Sequence, residues 1–420
     1  RTARGRNREL MGPPTSPSRM GAVTGAGVKA SGKHGVLAFA LAVLALLSAP
    51  VGSAQEREDT RPAIPPAADV PIALLVDMST GQVLHDRDPR RRFVPASMTK
   101  TMSAYVAFEL IEEGRLDPRQ EMTIRPETWR AWHARGSTMY LPADAPARVE
   151  DLLMGLMTVS ANDAAIVLAE GAAGSVEGWT ELMNAKAREI GMTDSHFANP
   201  NGWMDEGRTF TSARDLALLA EAMIRRHPEK FRRYIGNPRF TYTAITQNNH
   251  DPLIGRVDGA DGIKTGFTNE AGFGYLGTVQ RSGQRLVLVL AGVDSQRTRD
   301  AWARRYVEWG FAAFERRRLF DADEVVATAR VQRGSARRVA LVAERPVEVG
   351  IRRGREGDLS MSVHYDGPLR APLAAGDRVA TLRVEAPGMD TARIPLVTAE
   401  NVREAGPLDR IVNAFARWIG

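Results

Sequence analysis

A serine and a lysine three residues apart, Ser97 and Lys100, are the first residues in the chain whose types and spacing could do chemistry. If this segment begins a helix, positions i and i+3 share a face and lie about one turn apart. A serine hydroxyl becomes a useful nucleophile when a neighbouring base takes its proton, and a buried lysine near other cations can be neutral enough to do so. The pair therefore predicts nucleophilic catalysis, and the alternative is a helix cap beside a solvated lysine.

Two further short motifs carry groups that could assist such a nucleophile. Ser160 and Asn162 lie in a gap between two helical patterns, where a hydroxyl and an amide can relay a proton and hold a substrate amide. Lys264, Thr265 and Gly266 lie on a predicted strand, where a cation and a hydroxyl could hold a substrate carboxylate. Taken alone, Ser160 and Asn162 could simply cap a helix, and Lys264 could be an ordinary exposed strand lysine.

The order of the three motifs is more informative than any one of them. They are separated by 63 residues (97 to 160) and 104 residues (160 to 264), and each lies in the kind of element that its role requires. Ser-x-x-Lys, a Ser-x-Asn element and Lys-Thr-Gly form the set shared by penicillin-binding proteins and class A β-lactamases. The combination predicts acyl transfer through a serine.

The hydrophobic pattern around these motifs alternates between strand and helix signals. Strands at both ends of the segment, with helices inserted between them, predict an α+β domain built on an antiparallel sheet. The expected strands are residues 72–76, 82–85, 262–266, 274–279 and 285–290. The expected helices are residues 97–114, 150–157, 162–169, 178–190, 213–226 and 301–314.

Composition changes near residue 320, where short alternating segments separated by Gly or Pro begin. This pattern is typical of a small all-β module. Its expected strands are residues 325–331, 338–342, 347–351, 359–364, 378–384 and 392–397.

The N-terminal segment reads as an export signal. Lys29 and Lys33 precede a 12-residue apolar run, residues 36–47, and small residues follow as far as Ala54. These features describe a secretory signal peptide, with cleavage expected after Ala54, and the apolar run is shorter than the roughly 20 residues of a membrane-spanning helix. The alternative is an uncleaved N-terminal anchor. Residues 1–35 carry a net charge equal to the +6 of the whole chain, so the high pI is poor evidence for nucleic-acid binding.

The C-terminal tail has an amphipathic pattern. Over residues 407–420, Ile411, Phe415 and Trp418 fall on one helical stripe, and charged or polar residues take the other face. Such a helix can lie in a membrane interface and is too short to span it. The alternative is a helix packed on the β module.

The motif contexts closely resemble low-molecular-mass penicillin-binding proteins of the D-alanyl-D-alanine carboxypeptidase type. The resemblance covers roughly residues 68–400 and lies in Pro95-Ala-Ser-Met-Thr-Lys100, Val159-Ser-Ala-Asn-Asp-Ala164 and Asp261-Gly-Ile-Lys-Thr-Gly266. It implies a β-lactamase/D,D-peptidase-like domain followed by a small all-β domain. The divisions expected are a signal segment (1–54), a linker (55–68), a D,D-peptidase catalytic domain (69–319), a β-rich domain (320–400) and an amphipathic membrane-associating helix (401–420).

The resemblance also implies a role for each motif residue. Ser97 would be the acylated nucleophile and Lys100 its general base, with Ser160 and Asn162 assisting proton transfer. Lys264 and Thr265 would bind the terminal carboxylate of the substrate, with Arg299 near them and Gly266 as a further substrate-binding residue. The backbone N–H groups of Ser97 and Phe267 would form the oxyanion hole. Two departures from the family pattern are Phe267, where many relatives carry a polar residue, and the lack of a cleft arginine around residues 248–250.

The function implied is removal of the terminal D-alanine from peptidoglycan pentapeptides at the outer face of the inner membrane, in the periplasm, with β-lactams as acylating inhibitors. The alternatives are a D,D-endopeptidase that cuts cross-links, a β-lactamase, or a catalytically silent peptidoglycan-binding scaffold. The glutamate segment typical of class A β-lactamases is missing, which disfavours the β-lactamase alternative. No cofactor, metal or nucleic-acid partner is expected, because there is no cysteine and no His-Glu-x-x-His motif.

Overall fold

The computed structural model describes residues 69–354, 359–386, 389–407 and 409. The signal segment and linker expected over residues 1–68 lie outside the described residues, as does the part of the amphipathic helix (401–420) beyond residue 409. At its expected start the chain is not helical: Val402 is buried in the β-rich core and forms a β-bridge with Leu373. Within the described part of the chain, no helix has both the length and the apolar character needed to cross a membrane.

A five-stranded antiparallel sheet forms the centre of the first domain, in the order β2-β1-β9-β8-β7. The first two strands and the last three lie far apart in sequence, as the pattern predicted. Their bounds are β1 Ile72–Asp77, β2 Gln82–Arg87, β7 Ala260–Thr268, β8 Gly272–Arg281 and β9 Gln284–Val293. Two short hairpins lie outside this sheet: β3 Glu121–Thr123 with β4 Pro146–Arg148, and β5 Arg239–Tyr242 with β6 Ile245–Asn248.

Both faces of the sheet are covered, so its strands alternate between two hydrophobic cores. In β1, Ile72 and Leu74 enter one core, whereas Ala73 and Leu75 enter the other. The first core contains α1 and α3 to α6, and the second contains α8. The helices are α1 Thr99–Glu112, α2 Pro126–Trp132, α3 Val149–Thr158, α4 Asn162–Ala173, α5 Val176–Glu189, α6 Ala213–Arg226, α7 Pro228–Tyr234 and α8 Gln296–Ala313.

Helix α1 is the central helix of the domain, because 11 of its 14 residues are buried. A helix that is buried on all sides has to be surrounded by other elements. Helices α3, α5 and α6 and strand β7 contact it. This enclosure holds the start of α1, with its preceding 3₁₀ turn Ala96–Met98, in a fixed place beside the sheet.

The C-terminal part of the described chain is all β, with its own apolar core. A two-stranded ribbon pairs β10 with β13, and a six-stranded sheet has the order β14-β16-β17-β12-β11-β15. The strands are β10 Phe314–Phe320, β11 Val325–Gln332, β12 Arg338–Val342, β13 Val347–Arg352, β14 Ser360–His364, β15 Leu369–Arg370, β16 Arg378–Glu385 and β17 Ala392–Thr398. The predicted fold class is confirmed, and the expected boundary after residue 319 falls inside β10.

Candidate active site

Ser97 and Lys100 lie together, as their spacing predicted. Ser97 belongs to the 3₁₀ turn that precedes α1, and Lys100 is the second residue of α1. The Nζ atom of Lys100 lies 2.9 Å from the Oγ atom of Ser97. It also donates a hydrogen bond of 2.7 Å to the carbonyl oxygen of Asn201. The amine is therefore held against the hydroxyl by a second, fixed partner.

The surroundings of Lys100 favour its neutral form. The residue is 0% exposed, and burial is the main reason that its pKa falls well below the ordinary lysine value. The charge of Lys264 lowers this pKa further, whereas the carboxylate of Asp163 opposes the shift. Because a neutral amine has a free lone pair, Lys100 can accept the proton of the Ser97 hydroxyl.

Ser160 lies in the break between α3 and α4, and Asn162 is the first residue of α4. Ser160 takes a left-handed conformation, with φ of 62°, which costs a non-glycine residue on the order of 1 kcal/mol. Both side chains are buried, and both residues line the same cleft as Ser97. The Nδ2 atom of Asn162 donates a 2.9 Å hydrogen bond to the carbonyl oxygen of Arg135, so the amide also anchors the opposite loop.

Strand β7 passes directly against the turn that carries Ser97. At Gly266, an added Cβ atom would lie 2.6 Å from the carbonyl oxygen of Pro95 and 3.2 Å from Cγ of Met98. A side chain at this position would push the strand and the turn apart, so only glycine permits the observed approach. The glycine of the Lys-Thr-Gly motif thereby sets the distance between β7 and the turn that carries Ser97.

Two buried cations accompany this strand. Burial lowers the pKa of Lys264 to about 7, the charge of Arg299 lowers it as well, and Asp251 acts in the opposite direction. Arg299, near the start of α8, pairs with Asp300 at 2.7 Å. Arg299 and Thr265 both line the cleft, so a cation and a hydroxyl converge on a place where a carboxylate could bind.

The cleft has a volume of about 640 Å³, which suits a peptide end or a small drug-like molecule. Lys100 and Lys264 are not part of its surface, and they are buried behind it. The residues predicted from sequence that line it are Ser97, Ser160, Asn162, Thr265, Gly266, Phe267 and Arg299. The site can therefore bring a nucleophile, its base, an amide and a carboxylate pocket to one substrate.

Other cleft residues carried no motif and were missed. Asp251 has a buried carboxyl whose pKa burial raises to about 6, and the hydroxyl of Tyr275 donates to it at 3.3 Å. Trp203 and Arg256 also line the cleft. Phe273 lines the cleft as well, and its ring stacks on that of the predicted residue Phe267 with centroids 4.2 Å apart, because the two residues pair across β7 and β8. No local sequence pattern links Asp251, Trp203 and Arg256 to the motifs.

Comparisons with known proteins match both domains of the chain. The profile of the D-alanyl-D-alanine carboxypeptidase family matches residues 59–295, and that of the penicillin-binding protein 5 C-terminal domain matches residues 314–404. D-alanyl-D-alanine carboxypeptidase DacC of Escherichia coli is 32% identical over 364 residues, which are 84% of this chain and 90% of that protein. DacA of Haemophilus influenzae is 30% identical over 345 residues, 81% of this chain and 87% of that one.

Solved structures of penicillin-binding proteins are also similar to this chain. Penicillin-binding protein 5 of Haemophilus influenzae superposes with a TM-score of 0.74 at 30% identity, covering 82% of this chain and 100% of that one. Penicillin-binding protein D2 of Listeria monocytogenes, solved in its ampicillin-bound form, superposes with a TM-score of 0.53 at 25% identity, covering 60% and 100%.

The fold and the site define a penicillin-binding protein with a serine peptidase centre. The chain belongs to the D-alanyl-D-alanine carboxypeptidase family, because that family's profile matches more than half of it. Its activity is that of a serine-type D-Ala-D-Ala carboxypeptidase, as the family resemblance implied, and the endopeptidase and scaffold alternatives are not favoured.

Proposed function

We propose that Ser97 is the nucleophile that attacks the carbonyl carbon of the penultimate D-alanine of a peptidoglycan pentapeptide. The observation that carries the proposal is the 2.9 Å separation between Ser97 Oγ and Lys100 Nζ, in surroundings that favour a neutral amine. As Oγ forms its bond to carbon, the hydroxyl proton passes to Nζ of Lys100. Catalysis of this kind needs the base within hydrogen-bond reach of the proton that it removes.

The remaining motif residues are assigned to the same reaction. The backbone N–H groups of Ser97 and Phe267 stabilise the negative oxygen of the tetrahedral intermediate, which is the largest single effect in many acyl-transfer enzymes. The buried hydroxyl of Ser160 helps return the proton to the leaving amine, so that free D-alanine departs. Asn162 holds an amide of the acyl part. Support for these assignments comes from their shared position around one cleft.

The substrate's terminal carboxylate binds at the sheet side of the cleft. Thr265 and Arg299 supply a hydroxyl and a positive charge at the cleft surface. Lys264, buried behind them, adds a second positive charge in its protonated form, and Gly266 allows the strand to approach the nucleophile. Hydrogen bonds between ionised groups are roughly twice as strong as those between neutral groups. The acyl group left on Ser97 is then released by water, and a β-lactam would acylate the same oxygen.

Release of D-alanine tests this proposal. The full chain is incubated with a pentapeptide ending in D-Ala-D-Ala, and free D-alanine is measured for the wild type and for Ser97→Ala. We expect release by the wild type and none by the variant, whereas Ser362→Ala, which removes an exposed hydroxyl on β14, keeps the wild-type rate. Cleavage of cross-linked muropeptides without free D-alanine would instead indicate an endopeptidase.

We also propose that the enzyme works in the periplasm, attached to the outer face of the inner membrane by residues 401–420. The support is sequence alone: a signal-peptide pattern over residues 1–54 and an apolar stripe in the tail that includes Phe415 and Trp418. An amphipathic helix of this length can bind a membrane surface without crossing it. Deleting residues 405–420 should move the protein from the membrane fraction to the soluble fraction, and retention in the membrane would refute the anchor.

A further inference from the structure

An arginine at the rim of the cleft is held between two tryptophans. The guanidinium carbon of Arg135 lies 5.3 Å from the ring centroid of Trp132 and 4.9 Å from that of Trp203. The two rings meet edge to face, with centroids 5.6 Å apart. Trp203 itself lines the cleft. Arg135, Trp132 and Trp203 are called the arginine shelf below.

The shelf is tied to the catalytic residues by its backbone. The carbonyl oxygen of Arg135 accepts the 2.9 Å hydrogen bond from Asn162 Nδ2. At Gly136, which has a φ of 67°, an added Cβ atom would lie 2.8 Å from Asn162 Nδ2 and 2.9 Å from the Trp203 ring. Asp163 accepts from the N–H of Met139 at 3.1 Å, which holds the next part of the same loop. The position of the guanidinium is therefore set relative to Asn162.

The charge of the shelf has no internal partner. Arg135 is exposed, and among the residues that the structure describes no carboxylate lies within 4.0 Å of it. Other arginines of this domain, such as Arg148 and Arg281, pair with carboxylates at 2.8 Å. A cation–π contact holds a guanidinium without using its N–H groups as hydrogen-bond donors to a carboxylate. The shelf thus presents a fixed cation with free donors beside the cleft.

The shelf faces the part of the substrate that stays on the enzyme, an assignment that rests on the proposed function. The terminal carboxylate is placed by β7 and the start of α8, through Thr265 and Arg299. Arg135 and Trp203 belong to the other wall, with Asn162, which we assigned to the acyl part. A peptide whose end lies at Thr265 and whose scissile carbonyl lies at Ser97 has its earlier residues near that wall.

We propose that the arginine shelf binds a carboxylate on the acyl part of the peptide substrate, on a residue that precedes D-Ala-D-Ala, and so selects acidic over amidated peptides. Arg135 is a specificity-determining residue in this reaction and takes no part in bond making. The N–H groups of its guanidinium form charge-assisted hydrogen bonds to the carboxylate oxygens. The two indole rings restrict its side chain, which reduces the entropy lost on binding.

Two peptides test the inference, both ending in D-Ala-D-Ala and identical except that one acyl residue carries a carboxylate or the corresponding carboxamide. We measure kcat/KM by D-alanine release for the wild type, Arg135→Gln and Arg135→Lys. Arg305→Gln is the matched control, because Arg305 is also exposed and lies 4.9 Å from the ring of Trp302, on α8. The wild type should prefer the acidic peptide by about fivefold, near the upper limit for an exposed ion pair.

Arg135→Gln should abolish this preference, Arg135→Lys should keep part of it, and Arg305→Gln should leave it at the wild-type value. Added salt should reduce the preference, because exposed charges are screened. Equal turnover of the two peptides by the wild type, or an equal loss on both in Arg135→Gln, would overturn the inference. Failure of the proposed function gives another result: neither peptide releases D-alanine and penicillin leaves Ser97 unmodified, and the inference falls with it.

Discussion

Replacing Gly266 by alanine should slow acylation of Ser97 without unfolding the protein. The added Cβ atom would lie 2.6 Å from the carbonyl oxygen of Pro95, whereas real Cβ atoms essentially never come closer than 3.0 Å and ordinary contact begins at 3.4 Å. The strand and the turn must therefore separate by about 0.4–0.8 Å at the residues that position the nucleophile. Because a misplacement of about 1 Å can cost roughly 100-fold in rate, we expect acylation to slow by about 10- to 100-fold.

The assay is the second-order rate constant of acylation by a labelled penicillin, with thermal unfolding measured in parallel. Gly274→Ala is the control, since Gly274 faces Gly266 across β7 and β8. The nearest atoms that its Cβ would meet are Cε of Met98 at 2.5 Å and Sδ at 3.3 Å, the flexible end of a side chain that can turn aside. We expect this variant to acylate within a fewfold of the wild type.

Two results would refute the reasoning. If Gly266→Ala acylates at the wild-type rate with unchanged stability, the close approach of β7 does not set the geometry of Ser97. If Gly274→Ala loses as much activity as Gly266→Ala, any side chain added to these two strands slows acylation. The contact between Gly266 and Pro95 would then not be the cause.

The remaining predictions concern pH and stability. The buried ammonium of Lys264 has a pKa of about 7, so kcat/KM for D-Ala-D-Ala peptides should fall as pH rises through that value, and Lys264→Arg should move this fall to higher pH. Burial alone would raise the pKa of Glu109, but hydrogen bonds from Lys186 and His227 lower it overall. This carboxylate therefore stabilises the fold above its unfolded pKa and stops doing so as pH falls through its folded pKa. Glu109→Gln should lower the free energy of unfolding by about 1–3 kcal/mol at neutral pH, measured in urea, with a smaller loss in acid. Trp179→Ala removes a ring that is 0% exposed and should cost about 3–5 kcal/mol in the same assay.

Each of these has a clear contrary result. A pH profile that Lys264→Arg leaves in place would assign the falling limb to another group. A Glu109→Gln deficit that is the same at acid and neutral pH would mean that the carboxylate's charge is not what stabilises the fold. A Trp179→Ala cost under about 1 kcal/mol would mean that the surrounding core collapses into the space.

The local part of the active site could be predicted from sequence because helix geometry alone brings Ser97 and Lys100 together. The same is true of the gap that holds Ser160, which shows as a break between two apolar patterns. The meeting of these residues with β7 could be expected only from the family resemblance. Physically it depends on the contact between Gly266 and Pro95, 171 positions apart in the chain, which no local pattern encodes.

Elements without apolar periodicity were the ones missed or misplaced. The helix expected from residue 301 begins at Gln296, because the hydroxyl of Ser295 caps it by accepting from the N–H of Thr298. Strand β10, Phe314–Phe320, contains three consecutive arginines and shows no alternation, yet it pairs along its length with β13. The short helices α2 and α7 begin at prolines and were not predicted.

The arginine shelf could not be predicted from the sequence either. Arg135 and Trp203 lie 68 positions apart, and neither belongs to a motif. Their contact is a product of tertiary packing, as is the bond between Asn162 and the Arg135 carbonyl. Sequence reasoning identified the reaction, whereas the residues that tune substrate choice came only from the structure.

Labelling of the folded protein with a penicillin shows whether Ser97 becomes covalently acylated with Lys100 as its base. The folded protein is treated with a penicillin, and the modified residue is located by mass spectrometry of its peptides. We expect one adduct, on the peptide that contains Ser97, formed rapidly by the wild type and at least about 100-fold more slowly by Lys100→Arg, whose guanidinium stays protonated and cannot take the proton. Failure to form an adduct, an adduct on a different residue, or a Lys100→Arg variant that acylates at the wild-type rate would contradict the account.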